Sequence, residues 1–207
     1  MLDVPAECTA PSGALVRSTP NIFWSDIAAI AGSGSSVAHC PISNAKLGHG
    51  IAPVLEMLSA GIAVGLGSDS MAANNRMHLL EESRAAVLVQ RIRGERFDAL
   101  AASRALELAT LGGARALGLA DRVGSLEIGK EADLAAFDLT ALAGTADADP
   151  AAALVFALGA EPAKFVAVAG IPKVWNWELL NEDPGLDGRV RETSVALGNW
   201  LSASSSH

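Results

Sequence analysis

The chain has 207 residues, half of them apolar and 18% charged, and its 23 acidic against 15 basic side chains leave a formal net charge of −8. That is a globular composition, long enough for one substantial core or two small ones. It lacks the basic footprint that nucleic acid requires, and it disfavours an anionic membrane surface for the same reason. No apolar run approaches the roughly 20 residues of a membrane helix, and no basic segment with an apolar core marks a secretory signal. Two cysteines, Cys8 and Cys40, make no disulfide framework, so a soluble cytoplasmic protein is expected. Aromatics are scarce and Tyr is absent, which leaves the core to aliphatic and alanine packing.

In chain order, residues 1–20 hold three prolines and small polar residues without a period and are expected to be irregular. A strand or turn is expected over 21–24, and a short helix over 26–31 that stops at Gly32 and Gly34. "SSVAHC" reads as a strand. "GIAPVLEMLSAG" reads as a helix with Pro53 near its first turn and Gly61 closing it. "IAVGLG" is a second strand, apolar throughout like a parallel strand covered on both faces, and the order implies a right-handed βαβ unit. The longest helix is predicted over 76–93, with Met77, Leu80, Val87 and Leu88 on its apolar side and Glu and Arg on much of the remainder. A helix over 97–110 and a short one in "LGGARALGL" follow. After Gly124 come a strand over 132–137, a helix in "DPAAALVFALG", and strands "KFVAVAG" and "KVWNWELL" joined by a Gly-Ile-Pro turn. A helix over 186–201 and a disordered "SASSSH" end complete an α/β chain with a smaller β-rich portion.

Ligands of parallel α/β structures sit at the carboxyl ends of the strands, where "HCPISNAKLGHG" and "GSDSMAANN" fall. Asp69 is placed for function there, although Asp69 or Asn74 could equally cap the next helix or close a turn. His39 and Cys40 are strand neighbours, point to opposite faces, and cannot pair as base and nucleophile. His39 alone reads more often as a hydrogen-bonded structural histidine, and Ser43 and Asn44 as loop stabilisers. "GLGSDS" departs from the dinucleotide fingerprint at Ser70 and would set Asp69 against a phosphate, so a nucleotide-binding reading is weak. The four histidines, His39, His49, His78 and His207, form no H-x-H or H-x-x-x-H pair, and His78, inside the predicted helix, is expected to be solvated. From the residues alone Asp69 is a metal ligand without companions.

The continuous wording is more specific. "VAHCPISNAKLGHGIAPVLEMLSAGIAVGLGSDSMAANNRMHLLEESRAAVLVQR" closely resembles the amidohydrolase superfamily, in particular deaminases and chlorohydrolases acting on purines, cytosine, S-adenosylhomocysteine and s-triazines. "ATLGGARALGLADRVGSLEIGKEADLAAFDL" is similar to the segment by which these enzymes leave the barrel for a small β-sandwich, and the likeness extends over 21–180. It implies the C-terminal part of a (β/α)8 barrel over 21–123, with "SSVAHC" and "IAVGLG" as its seventh and eighth strands, then part of a sandwich over 124–180 and a helix and tail over 181–207. It also implies that Asp69 ligates a divalent metal, zinc or iron, and takes a proton from the metal-bound water. His39, Ser43 and Asn44 would lie at the rim of the same mouth against a small heterocyclic substrate.

The family's first-strand H-x-H and its fifth- and sixth-strand histidines have no counterpart. No histidine precedes His39, and Ser18, Thr19 and Pro20 stand where the sixth-strand histidine is expected. Such a barrel takes about 250 residues. The expectation is therefore a C-terminal fragment of a C–N hydrolase, inactive alone and unable to retain its metal. The alternative is a non-catalytic half-protein whose open sheet edges pair with a second copy or a complementing chain.

Overall fold

The computed structural model describes residues 15–17, 24–142, 149–159, 161–180 and 183–204. The first part alternates strand and helix: β1 (Leu15–Arg17), α1 (Trp24–Ser33), β2 (Ser36–His39), α2 (Pro41–Lys46), α3 (Val54–Ser59), β3 (Val64–Leu66), α4 (Met71–Asn74) and α5 (Leu79–Gly94). α6 (Ala102–Glu107) runs through a π-helical turn at Leu108–Gly112 into α7 (Gly113–Ala116). The three strands form a parallel sheet in the order β1-β2-β3, with Val37 opposite Val64 and His39 opposite Leu66. Parallel pairing of β2 and β3 agrees with the expected βαβ order and with the unbroken apolar run of β3.

β1 corrects the expectation of irregularity: Leu15 pairs with Ser36 and Arg17 with Ala38. Three residues are too few to show a period, and the pairing that forms them is non-local. The rest of 1–20, including Ser18, Thr19 and Pro20, lies outside the described residues, as do 21–23; Trp24 opens α1.

The core gathers Val37, Val64 and Leu66 from the sheet with Ile27, Ala52, Val54, Met57, Ala86, Val87, Ala105 and Leu108 from the helices. Two helices meet this sheet differently. α5 presents a mixed face, whereas α6–α7 lays its backbone directly on β3. A Cβ added at Gly65 would lie 2.6 Å from Gly113 Cα, and one at Gly112 would lie 2.7 Å from the Val64 carbonyl. The "LGG" of the sequence is therefore a contact requirement, and the π turn between α6 and α7 falls on that contact.

Several helix bounds move. α5 begins at Leu79, and His78 caps it, its Nδ1 accepting the Glu81 N–H at 3.4 Å, so His78 is not an interior helical residue. Met77 and Leu88, expected on the apolar side, are 71% and 42% exposed. The buried face of α5 consists of Glu82, Ser83, Ala86, Val87 and Gln90, a helical stripe that mixes polar with apolar residues. Phe97 is exposed and α6 starts only at Ala102.

The second part holds β4 (Leu134–Ala136), a 3-10 turn at Thr140–Leu142, α8 (Pro150–Ala152) continued by a π turn at Ala153–Ala157, β5 (Phe165–Val168), β6 (Ile171–Trp175), β7 (Glu178–Leu179) and α9 (Leu186–Ser204). Its four strands pair antiparallel in chain order. The turn between β5 and β6 is Ala169–Gly170, both at positive φ, and Ile171 and Pro172 already belong to β6. Pro172 fits there because the register shifts beside it, at Val166/Ala167. "KVWNWELL" is two strands, since Asn176 and Trp177, at φ 51° and 67°, make a second tight hairpin turn. α9 runs on to Ser204, so the start of the "SASSSH" end is helical; 205–207 lie outside the described residues. No helix among the described residues is long and apolar enough to cross a membrane.

Candidate functional site at the ends of β2 and β3

β2 ends in His39, and the chain turns through Cys40 into α2, where Pro41 occupies the first turn. β3 ends in Leu66 and passes through Gly67, Ser68 and Asp69 to Ser70, which caps α4 by accepting the Ala73 N–H at 3.3 Å. The Gly67 N–H donates to the His39 carbonyl at 2.9 Å and so carries the sheet pairing beyond the strands. Both loops leave the same end of the sheet side by side.

That adjacency brings two of the sequence-predicted residues together. The Ser43 hydroxyl donates to Asp69 Oδ2 at 2.6 Å, and the Ser70 N–H donates to Asp69 Oδ1 at 2.9 Å. Asp69 itself has φ 61°, the left-handed region that aspartate enters more readily than most non-glycine residues. Its carboxylate takes no part in capping α4 or α5, whose caps are Ser70 and His78. Both donors orient the carboxylate.

His39 and Asn44 are placed differently. Both are almost wholly buried, and they line a cleft of about 280 Å³ with Pro41, Ala45, Gly48, Gly50, Ile51 and Val89. Burial pushes the His39 imidazole down to about 4, so it is neutral at pH 7 and serves there as a polar wall rather than a cation. Cys40 is a buried free thiol.

Glu82, to which the sequence assigns no role at the site, and Asn74, expected only as a cap or turn residue, complete the site's support. Glu82 of α5 is fully buried. Its Oε2 accepts the Ile42 N–H at 3.1 Å and its Oε1 accepts a hydrogen bond from Asn74 Nδ2. Asn74 Nδ2 also donates to the Ser68 carbonyl at 2.7 Å. Burial pushes the Glu82 carboxyl above its ordinary range, while the hydrogen bonds from Ile42 and Asn74 pull it back towards the charged form. The signal was present in the spacing of residues 82, 83, 86, 87 and 90 on one helical face, but Glu was read as solvent-facing.

The donor set decides what this end of the sheet can hold. Catalytic zinc takes about three protein ligands, and among the described residues no three His, Cys, Asp or Glu side chains gather into such a group. Asp69 offers one carboxylate, so the described residues do not by themselves make the metal site of the resembled enzymes.

The sequence profile of the amidohydrolase family matches residues 5–172. The chain belongs to the amidohydrolase family. Within that family it is similar to 5-methylthioadenosine/S-adenosylhomocysteine deaminases. The Desulforudis audaxviator enzyme is 51% identical over 109 residues, 53% of this chain and 25% of the relative. The Halobacterium salinarum enzyme is 36% identical over 178 residues, 86% of this chain and 40% of the relative. Among solved structures, a zinc-bound adenosine deaminase from Xanthomonas campestris superposes with a TM-score of 0.83 at 34% identity, covering 89% of this chain and 42% of that one. An Arthrobacter aurescens atrazine chlorohydrolase complexed with zinc gives a TM-score of 0.77 at 32% identity, over 87% of this chain and 40% of that one. The chain thus spans between 25% and 40% of these two curated relatives.

Proposed function

We propose that this chain carries one side of a hydrolytic centre that cleaves a C–N bond in an aminated heterocycle, and that Asp69 is its ligand to that centre's divalent metal. The observation that carries the reading is the Asp69 carboxylate at the end of β3, gripped by Ser43 from the end of β2. The parallel sheet is then the last part of a (β/α)8 barrel, with β2 and β3 as its seventh and eighth strands. The antiparallel sheet is part of the accompanying sandwich. His39 and Asn44 form the wall beside the substrate, and Ser43 orients Asp69. The substrate class is a methylthioadenosine-like or triazine-like ring, as the names of the relatives suggest, and the compartment is the cytoplasm.

A single carboxylate does not retain a catalytic cation, so the polypeptide alone is inactive and the remaining ligands lie outside the described residues. Replacing the matching segment of the Halobacterium relative by residues 24–123 tests the site without requiring activity from the isolated chain. The chimera is expected to deaminate 5-methylthioadenosine, and Asp69→Asn within it to cost about a thousandfold or more in kcat. A folded chimera indifferent to Asp69→Asn would refute the assignment.

A second reading has its own support. β1 and β3 are the outer strands of the parallel sheet, and β4 and β7 the outer strands of the other. Such edges offer unpaired backbone groups, so a second chain could complete the sheets. Light scattering after size exclusion distinguishes the two: a stable heteromeric or dimeric species favours completion by a partner, and a cooperatively melting monomer opposes it.

A further inference from the structure

Glu82 is the one Asp, Glu, Lys or Arg among the buried polar side chains of the described residues. Among the described residues no lysine or arginine pairs with it; amide donors meet both its oxygens instead. A buried carboxylate without a cation is costly to keep, and packing α5 onto the core would need only an apolar side chain there. Its two hydrogen bonds lead to the same place. Ile42, whose N–H Glu82 accepts, immediately precedes Ser43, the hydroxyl donor to Asp69 Oδ2. Asn74, which Glu82 also accepts, spends its other hydrogen on the carbonyl of Ser68, the residue before Asp69.

One carboxylate thus fixes both the side chain that grips Asp69 and the backbone that carries it. Asp69 stands in a left-handed conformation, and these contacts hold the backbone on both sides of it. We propose that Glu82 is a positioning residue that sets the orientation of the Asp69 carboxylate through Asn74–Ser68 on one side and Ile42–Ser43 on the other. Its catalytic meaning rests on the reading of Asp69 given above; the geometric claim does not.

Glu82→Gln in the full chain is the test. Glutamine keeps one acceptor oxygen for Ile42, and its NH2 then faces the Asn74 NH2, donor to donor. Asn74 must turn, and the Ser68 carbonyl loses its partner. The readout is the Ser70 amide, which donates to Asp69 Oδ1, together with the Asp69 carboxyl carbon resonance.

In the variant the Ser70 amide is expected to exchange at least about tenfold faster, and the Asp69 resonance to move. The Val37 amide, which donates to Ala63 in the sheet, should keep its protection. Uniform loss of protection along α5 with Ser70 and Asp69 unchanged would make Glu82 a packing residue only and overturn the proposal. If Glu82→Gln does not fold, Asn74→Ala reads the same two signals while leaving the Glu82–Ile42 bond in place; their persistence would equally overturn it. Neither readout needs metal or substrate. Failure here therefore leaves the metal-ligand assignment of Asp69 standing, and failure of the chimera leaves this result standing.

Discussion

Between Ser36 and Ala116 the chain covers a parallel sheet with helices on closely fitted contacts; between Leu134 and Leu179 it leaves apolar side chains of an antiparallel sheet in solvent. In the first region Val37, Val64, Met57 and Val87 are wholly or almost wholly buried, and the Gly65–Gly113 contact is backbone on backbone. In the second, Val168, Ile171 and Leu179 are 48%, 58% and 53% exposed, and no described side chain of α9 is buried. Of the second region, α8 and its π turn reach the core, through Val155 with Ala151, Ala152 and Phe156 beside it. The difference explains where a site can be built. A carboxylate held in one orientation needs rigid flanks, and the covered sheet provides them.

The contrast makes graded predictions for stability. Gly65→Val forces a side chain into the Gly113 backbone and is expected to cost about 4 kcal/mol, abolishing the cooperative melt of the first region. Met57→Ala, at a site with no exposure, should cost about 3 kcal/mol.

His39 adds a pH dependence. Its folded pKa of about 4 lies below the ordinary 6.5, so on acidification the unfolded chain binds the proton first. Its contribution is fully present above about pH 6.5 and is lost as the pH falls towards 4, by on the order of 3 kcal/mol. As the pH falls across that range, melts of the chain should lose stability more steeply than those of His39→Asn, whose side chain takes up no proton. Equal pH slopes would mean that His39 is more hydrated than its burial indicates.

Leu179→Ala, in the open sheet, should change stability by less than about 0.5 kcal/mol. A large loss there would reveal that the second region is covered in solution.

The covered sheet was also the more legible part of the sequence. β3 announces itself by its unbroken apolar run and α3 by the proline and glycine at its ends, whereas α2, directly after β2, was not expected. α5 was visible as a helix but not by its buried face, because Glu82 and Gln90 occupy positions that composition assigns to solvent. β1 was invisible because three residues carry no period. The Asn176–Trp177 turn was missed because tryptophan rarely takes positive φ and the flanking residues read as one strand. At the site, the residue types of Ser43 and Asp69 could be singled out from their loops. Their contact depends on two strands lying side by side, and Asn74 and Glu82 enter only once helices are folded against both loops.

The central proposal is that Asp69 is a well-oriented carboxylate that, among the described residues, has too few companions to hold a metal, and metal content per chain tests it most directly. After equilibration with zinc and removal of loosely held ions, elemental analysis is expected to find well below about 0.1 equivalent, because one carboxylate falls short of the usual ligand set. One equivalent retained by the chain, and lost in Asp69→Asn, would contradict the account.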